Sequence, residues 1–132
     1  SSEFIFADPN QWGVNNEFDK LMPRISEAAP YMRELLDWGN ANGMIYRVRY
    51  VPLCYFPEYL ENNISEIKET QIYTNVTHSA PDFHNDDVVE GRRNTWRIKT
   101  EKCKKCSLYQ KCEWIWTTYN QKWWDKELIP QK

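Results

Sequence analysis

Four cysteines constrain this chain more tightly than any other feature of its sequence. Three fall in one short segment, spaced Cys103-x2-Cys106-x5-Cys112, and the fourth, Cys54, lies far upstream, just after a strand-like run. Four thiolates, three of them in one tight loop, are the donor set of a tetrahedral metal or an iron–sulfur cluster. The two residues inside Cys103–Cys106 let both sulfurs turn towards one centre, and the five before Cys112 let the chain return to it. This spacing points to a metal or a cluster without saying which. Two disulfides are the competing reading, and compartment decides between them. Nothing else argues for export: the sequence shows no charged-then-apolar signal pattern and no apolar run long enough to span a bilayer. Two sequons, Asn63-Ile64-Ser65 and Asn75-Val76-Thr77, are triplets that arise often by chance. A cytoplasmic chain without a membrane partner is the expectation.

At 132 residues the chain has room for one domain, or one small unit plus a stapled extension. Seven Trp, eight Tyr and five Phe against four Gly mean that aromatic rings supply much of the available apolar area. A bound cluster would anchor a region that lacks a deep core. The net charge of −2 hides a lopsided distribution: residues 1–90 balance at −9 and residues 91–122 at +7. The basic part encloses the cysteine loop. Cations interleaved with Trp and Tyr suit single-stranded nucleic acid. They equally suit thiolates, because positive neighbours lower thiol pKa and offset the charge of a cluster. The second account is preferred, so nucleic acid is not the expected partner.

Along the chain, Phe4–Asp8 has the pattern of a buried strand, and Pro9 and Asn10 turn it. From Asn16, Phe18, Leu21, Met22, Ile25, Ala28, Ala29, Met32, Leu35 and Leu36 recur at helical spacing. Pro23 and Pro30 divide this stretch, and Pro30 fits the first position of a helix over 30–41 that Gly43 ends. Met44–Val51 alternates as a strand closed by Pro52. Strand, helix and strand make a βαβ unit with parallel strands and a right-handed crossover. Ligands bind at the carboxyl ends of such strands. That rule selects Asp8 and Asn10 at one end, and Pro52, Leu53 and Cys54 at the other. A short helix is expected over Tyr59–Lys68, irregular polar chain over 70–100, and a helix over Glu113–Trp124. His78, His84, Asp86 and Asp87 could form a second metal site, although a turn-rich loop explains them better.

These stretches together resemble the C-terminal half of a radical S-adenosylmethionine enzyme of the MoaA/PqqE kind, with a SPASM- or Twitch-like extension. Phe4–Asn10 resembles a late strand of the partial (β/α)6 barrel, Ser26–Glu34 the helix after it, and Arg49–Cys54 the sixth strand with its cysteine. Cys103-x2-Cys106-x5-Cys112-Glu113, then Trp116, Tyr119 and Glu127–Pro130, resembles the cysteine-rich tail. The resemblance implies an α/β barrel fragment over 1–69, a cysteine-rich extension with a C-terminal helix over 70–132, and one auxiliary [4Fe–4S] cluster on Cys54, Cys103, Cys106 and Cys112. In such enzymes that cluster binds substrate or relays an electron.

The chain also departs from the family pattern. Trp116 stands where a SPASM domain has a further cysteine, which leaves a single-cluster, Twitch-like site. Trp12, Trp114 and Trp124 stand where glycines are usual, an exchange tolerated only where the backbone never needed positive φ. The family's Cys-x3-Cys-x2-Cys loop, which holds the cluster that cleaves S-adenosylmethionine, is not among these residues. Catalysis by the chain alone is therefore not expected, and the cofactor would bind only if an N-terminal half is supplied. No catalytic residue or substrate is assigned. Three readings result: a cluster-bearing part of a radical enzyme, a four-cysteine zinc module that binds protein or nucleic acid, and a disulfide-stapled secreted domain. Under the first, strand edges cut from a barrel recruit an N-terminal half or a second copy.

Overall fold

The computed structural model describes residues 1–10, 12–72, 77–80, 83–113 and 115–132. Its architecture is mixed α/β. Strand β1 (Ser2–Ile5) runs parallel to β2 (Tyr46–Arg49), in a register from Ser2↔Tyr46 to Ile5↔Arg49. The Phe6 N–H extends this ladder to the Arg49 carbonyl at 3.0 Å. The first strand thus lies earlier than the expected Phe4–Asp8, and Asp8 belongs to the following turn. Parallel strands need a long crossover, which α1 (Trp12–Asn16), α2 (Phe18–Leu21) and α3 (Ile25–Ala41) supply.

Helix α3 begins at Ile25 rather than at Pro30, and carries the proline inside it. Proline removes the hydrogen bond that the Ser26 carbonyl would otherwise receive. The turn before it is held from outside: Ile25 and Ala29 are buried, and the Ile25 N–H donates to the Tyr119 hydroxyl at 2.8 Å. The helix ends as the sequence predicts. Gly43 has φ +67°, the Met44 N–H reaches back to the Gly39 carbonyl at 2.8 Å, and the Gly43 N–H faces Asn40 at 3.5 Å. This paired closure satisfies the last carbonyls and turns the chain into β2. Gly39 is equally constrained, because a Cβ there would lie 2.7 Å from the Tyr46 ring.

Strand β2 is shorter than the expected Met44–Val51 because Tyr50 adopts φ 63°. A left-handed conformation costs a non-glycine residue about 1–2 kcal/mol. Here the Tyr50 N–H donates to the Glu66 carboxylate at 2.5 Å, and its ring packs edge-on against Trp116. On the other side of β2, Val48 bridges Ile64, and the Val48 N–H bonds the Asn63 carbonyl at 2.8 Å. Asn63 is buried, with its side-chain amide donating to the Tyr46 carbonyl at 2.7 Å, so this sequon serves the fold. Asn75, of the other sequon, lies outside the described residues. The expected Tyr59–Lys68 helix is replaced by a 3-10 turn at Pro57–Tyr59 and by α4 (Ser65–Ile72).

Residues 70–100 are more regular than their polar composition suggests. A hairpin of β3 (His78–Ala80) and β4 (Phe83–Asn85) precedes α5 (Val88–Thr95) and β5 (Arg97–Ile98). Strand β6 (Ile115–Trp116) pairs antiparallel with β5, in the register Arg97↔Trp116 and Ile98↔Ile115. That pairing takes two residues from the expected Glu113–Trp124 helix, and α6 covers Thr117–Trp123 only. Trp114, and the side chains of Trp12 and Trp124, lie outside the described residues. Phe6, Ile25, Leu36 and Val48 share one buried cluster with Ile115, Trp116, Tyr119 and Leu128, so both halves of the chain contribute to a common core.

Tyr119 is fully buried and joins these halves. Its hydroxyl accepts from Ile25 and donates to the Glu127 carboxylate at 2.5 Å. Glu127 also accepts from Arg24 at 3.0 Å and from Ser26 at 2.9 Å. Tyr119→Phe leaves a buried N–H without its acceptor, and is expected to destabilise the protein by about 1–3 kcal/mol. Urea unfolding reads this loss, and an unchanged midpoint would show that the hydroxyl is not the link.

Candidate metal centre

The chain delivers its cysteines from two directions. After Val51 and Pro52, a 3-10 turn over Leu53–Tyr55 tucks Cys54 inward to 8% exposure. The other three lie in the excursion between β5 and β6, which begins with a 3-10 turn over Glu101–Lys105. Backbone bonds curl this excursion: Cys106 N–H to the Cys103 carbonyl at 2.9 Å, Tyr109 N–H to Cys106 at 3.0 Å, and Cys112 N–H to Leu108 at 2.9 Å. Cys103, Cys106 and Cys112 are half-buried, and all four cysteines are free thiols.

All four line one cavity, whose walls include Pro52, Leu108, Ile115 and Leu128. The C-terminal tail closes it. The Gln131 N–H points at Cys106 Sγ at 3.4 Å, the Gln131 side-chain amide donates to the Cys54 carbonyl at 2.9 Å, and the Ser107 N–H bonds the Gln131 carbonyl at 2.9 Å. The Ile129 N–H bonds the Cys54 sulfur, and the Thr100 hydroxyl sits 3.7 Å from Cys103 Sγ. Donors aimed at sulfur are the means by which a protein stabilises thiolate ligands and tunes a cluster. Burial pushes the Cys54 thiol up to about 12; the Ile129 N–H pulls it down, and the charges of Cys112, Cys106 and Cys103 raise it further.

Three of the basic residues around the loop bond within the fold, while Lys104, Lys105, Lys111 and Lys122 are exposed. Lys99 lines the cavity, places its ammonium 3.7 Å from the Tyr109 ring centre, and donates to the Tyr109 carbonyl. Burial lowers its pKa, against the pull of Cys112 and Cys103. Lys102 donates to the carbonyls of Asp125, Lys126 and Leu128, at 2.9, 3.3 and 3.2 Å. It thereby ties the cysteine turn to the tail. Arg97 is buried, 3.3 Å from Glu113 and stacked over the Trp116 ring. Of these three, Lys99 stands at the wall of the sulfur cavity.

The remaining candidates separate. Pro52 lines the cavity, and Leu53 is buried in the adjacent turn. Asp8 and Asn10 form a turn of their own, in which Asp8 accepts from the Asn10 N–H at 2.9 Å and Asn10 accepts from the Thr118 hydroxyl at 2.6 Å. Burial raises the Asp8 carboxyl despite these bonds. Neither residue lines the sulfur cavity. In the histidine-rich stretch, His84 lies 2.7 Å from Asp86 with both side chains exposed, and Asp87 receives the Glu90 N–H at 3.0 Å at the start of α5. Asp82 and the side chain of His78 lie outside the described residues. Sequence reasoning placed Lys99 and Lys102 only within the basic segment around the loop and missed the roles of Ile129 and Gln131, because these contacts depend on groups distant in the chain.

As a donor set the site suits a metal: four thiols, N–H groups at two sulfurs and a cation at the wall. The enclosed space is small, about 30 Å³. Among the described residues, no three His, Cys, Asp or Glu side chains are drawn together tightly enough to hold a single ion. Among the same residues, no helix is long and apolar enough to cross a membrane. Comparison with known protein families, characterised proteins and solved structures finds no match.

In metal-free protein, iodoacetamide at pH 8 is expected to label Cys103, Cys106 and Cys112 well before Cys54, since only thiolate reacts and Cys54 is buried with its thiol pushed up. Peptide mass mapping follows the order, and early labelling of Cys54 would contradict the inward placement of its sulfur.

Proposed function

We propose that this chain is the cluster-bearing part of a radical S-adenosylmethionine enzyme. Residues 1–69 represent the end of its partial barrel and 70–132 a Twitch-like extension. Cys54, Cys103, Cys106 and Cys112 would hold one auxiliary [4Fe–4S] cluster. A single observation carries this reading: a cysteine at the end of a parallel strand unit and three from a distant loop line the same cavity. Bound there, the cluster supplies a one-electron redox centre. Four thiolates would leave no iron open to substrate, so electron relay is favoured over substrate anchoring. The groups around the sulfurs support a redox role: the Gln131 and Ile129 N–H bonds and the Lys99 ammonium offset negative charge and raise the reduction potential.

Radical initiation is assigned to a separate N-terminal half, with which S-adenosylmethionine would bind. Among the described residues β1 pairs only with β2, and its Ile5 is 57% exposed. An added strand on that edge is the proposed mode of association, with the N-terminal half or with a second copy. The chain purified alone is then expected to show a mass by light scattering that rises above 16.0 kDa with concentration. A constant monomer mass would argue against the open edge as a docking site.

A structural zinc module is the second reading: the enclosed space is small enough for one ion, and the thiols would have to draw closer together to hold it. Anaerobic reconstitution with iron and sulfide decides between them. The radical-enzyme reading expects a brown protein with about four iron and four sulfide per chain, both lost in Cys54→Ala. A colourless protein holding one zinc would remove the redox role.

A further inference from the structure

The walls of the sulfur cavity differ in how firmly the fold holds them. Ile115 belongs to β6 and is paired with Ile98 of β5. The cysteine loop is curled by its own backbone bonds, among them the Cys112 N–H to the Leu108 carbonyl at 2.9 Å. Leu128 is buried in the shared core, and the Lys102 ammonium donates to its carbonyl at 3.2 Å. Residues 129–131 are held differently. They belong to no helix or strand, and Ile129 is 49% exposed. Pro130 lines the cavity but has no N–H with which to fasten the segment.

The bonds that hold this segment are polar and reach the cysteines. The Ile129 N–H bonds the Cys54 sulfur. Gln131 supplies the others: its N–H points at Cys106 Sγ at 3.4 Å, its side-chain amide donates to the Cys54 carbonyl at 2.9 Å, and its carbonyl accepts the Ser107 N–H at 2.9 Å. Cysteine sulfur is a weak acceptor. A segment with few buried apolar contacts opens locally far more readily than the whole fold. Leu128 is fixed and the residues after it are not, which puts the hinge between them. Cys54, only 8% exposed, has strap bonds at both its sulfur and its carbonyl.

We propose that residues 129–131 form a strap, hinged after Leu128 and latched by Gln131, whose local opening is the route to Cys54 in the sulfur cavity. The inference goes beyond the metal reading and depends on neither iron nor zinc.

Brief iodoacetamide labelling of the reduced, metal-free 132-residue chain tests it, with singly labelled chains mapped by peptide mass. Gln131→Met keeps the length of the side chain and loses its amide donors. It is expected to raise the labelling rate of Cys54 about fivefold or more, with the urea midpoint and the rate at Cys103 unchanged. Amide hydrogen exchange of the unaltered chain gives a second reading that needs no variant. The Ser107 N–H, bonded to the strap, is expected to show at least about tenfold less protection than the Cys112 N–H, bonded within the loop. The proposal is overturned if Gln131→Met labels Cys54 no faster, if it does so only with a matching loss of global stability, or if Ser107 is protected as strongly as Cys112.

Discussion

The buried hydroxyl of Tyr119 links the crossover helix to the tail. It receives the first N–H of α3 and passes a hydrogen bond to Glu127, which also binds Arg24 and Ser26. Burial alone would raise the Glu127 carboxyl, but the bonds from Tyr119, Arg24 and Ser26 prevail and hold it below its ordinary range. The carboxylate therefore keeps its charge and its grip at neutral pH. Because Glu127 is held, the residues after it are directed onto the sulfur cavity. Ile129 and Gln131 then meet Cys54 and Cys106. Positioning of the sulfurs and docking of α3 thus draw on one shared network.

Behind the cysteine loop lies a buried ionic group whose members come from both halves of the chain. Arg97 lies against the rings of both Tyr50 and Trp116 and faces Glu113, the residue directly after Cys112. Burial raises the Glu66 carboxyl, the Glu113 charge reinforces the effect, and Arg97 opposes it. A buried ion pair is weak evidence for stability, because desolvation offsets most of the attraction, whereas losing one partner is strongly destabilising. Its role here is positional. It holds the end of the cysteine loop against the left-handed turn at Tyr50, which in turn ends β2 before Cys54.

Features carried by local chemistry were legible in the sequence. Gly43 marks a left-handed helix end, and the strand–helix–strand order gives the parallel pair β1 and β2. The cysteine spacing lets its thiols line one cavity. Elements decided by distant partners were not legible. Pro30 reads as a helix start until Tyr119 is seen to support the turn before it. Ile115 and Trp116 fit a helical period as well as a strand, and only Ile98 and Arg97 across from them settle the matter. Asp8 and Asn10 read as the end of a strand, yet they form a turn beyond it in which Asp8 accepts from Asn10, whose side chain is bonded by Thr118. No periodicity announces Gln131, whose bonds are to a carbonyl and a sulfur.

The tail's position over the sulfurs has a consequence for biosynthesis. Gln131 follows Cys54 by 77 positions. At about 5–20 residues per second the ribosome needs roughly 4–15 s to make that stretch. Until that stretch is made, the Cys54 thiol lacks the cover and the companion sulfurs that later shield it. Its integrity during translation rests on the reducing capacity of its surroundings and on nascent-chain collapse around Val48 and Phe56, both of which are fully enclosed in the finished protein.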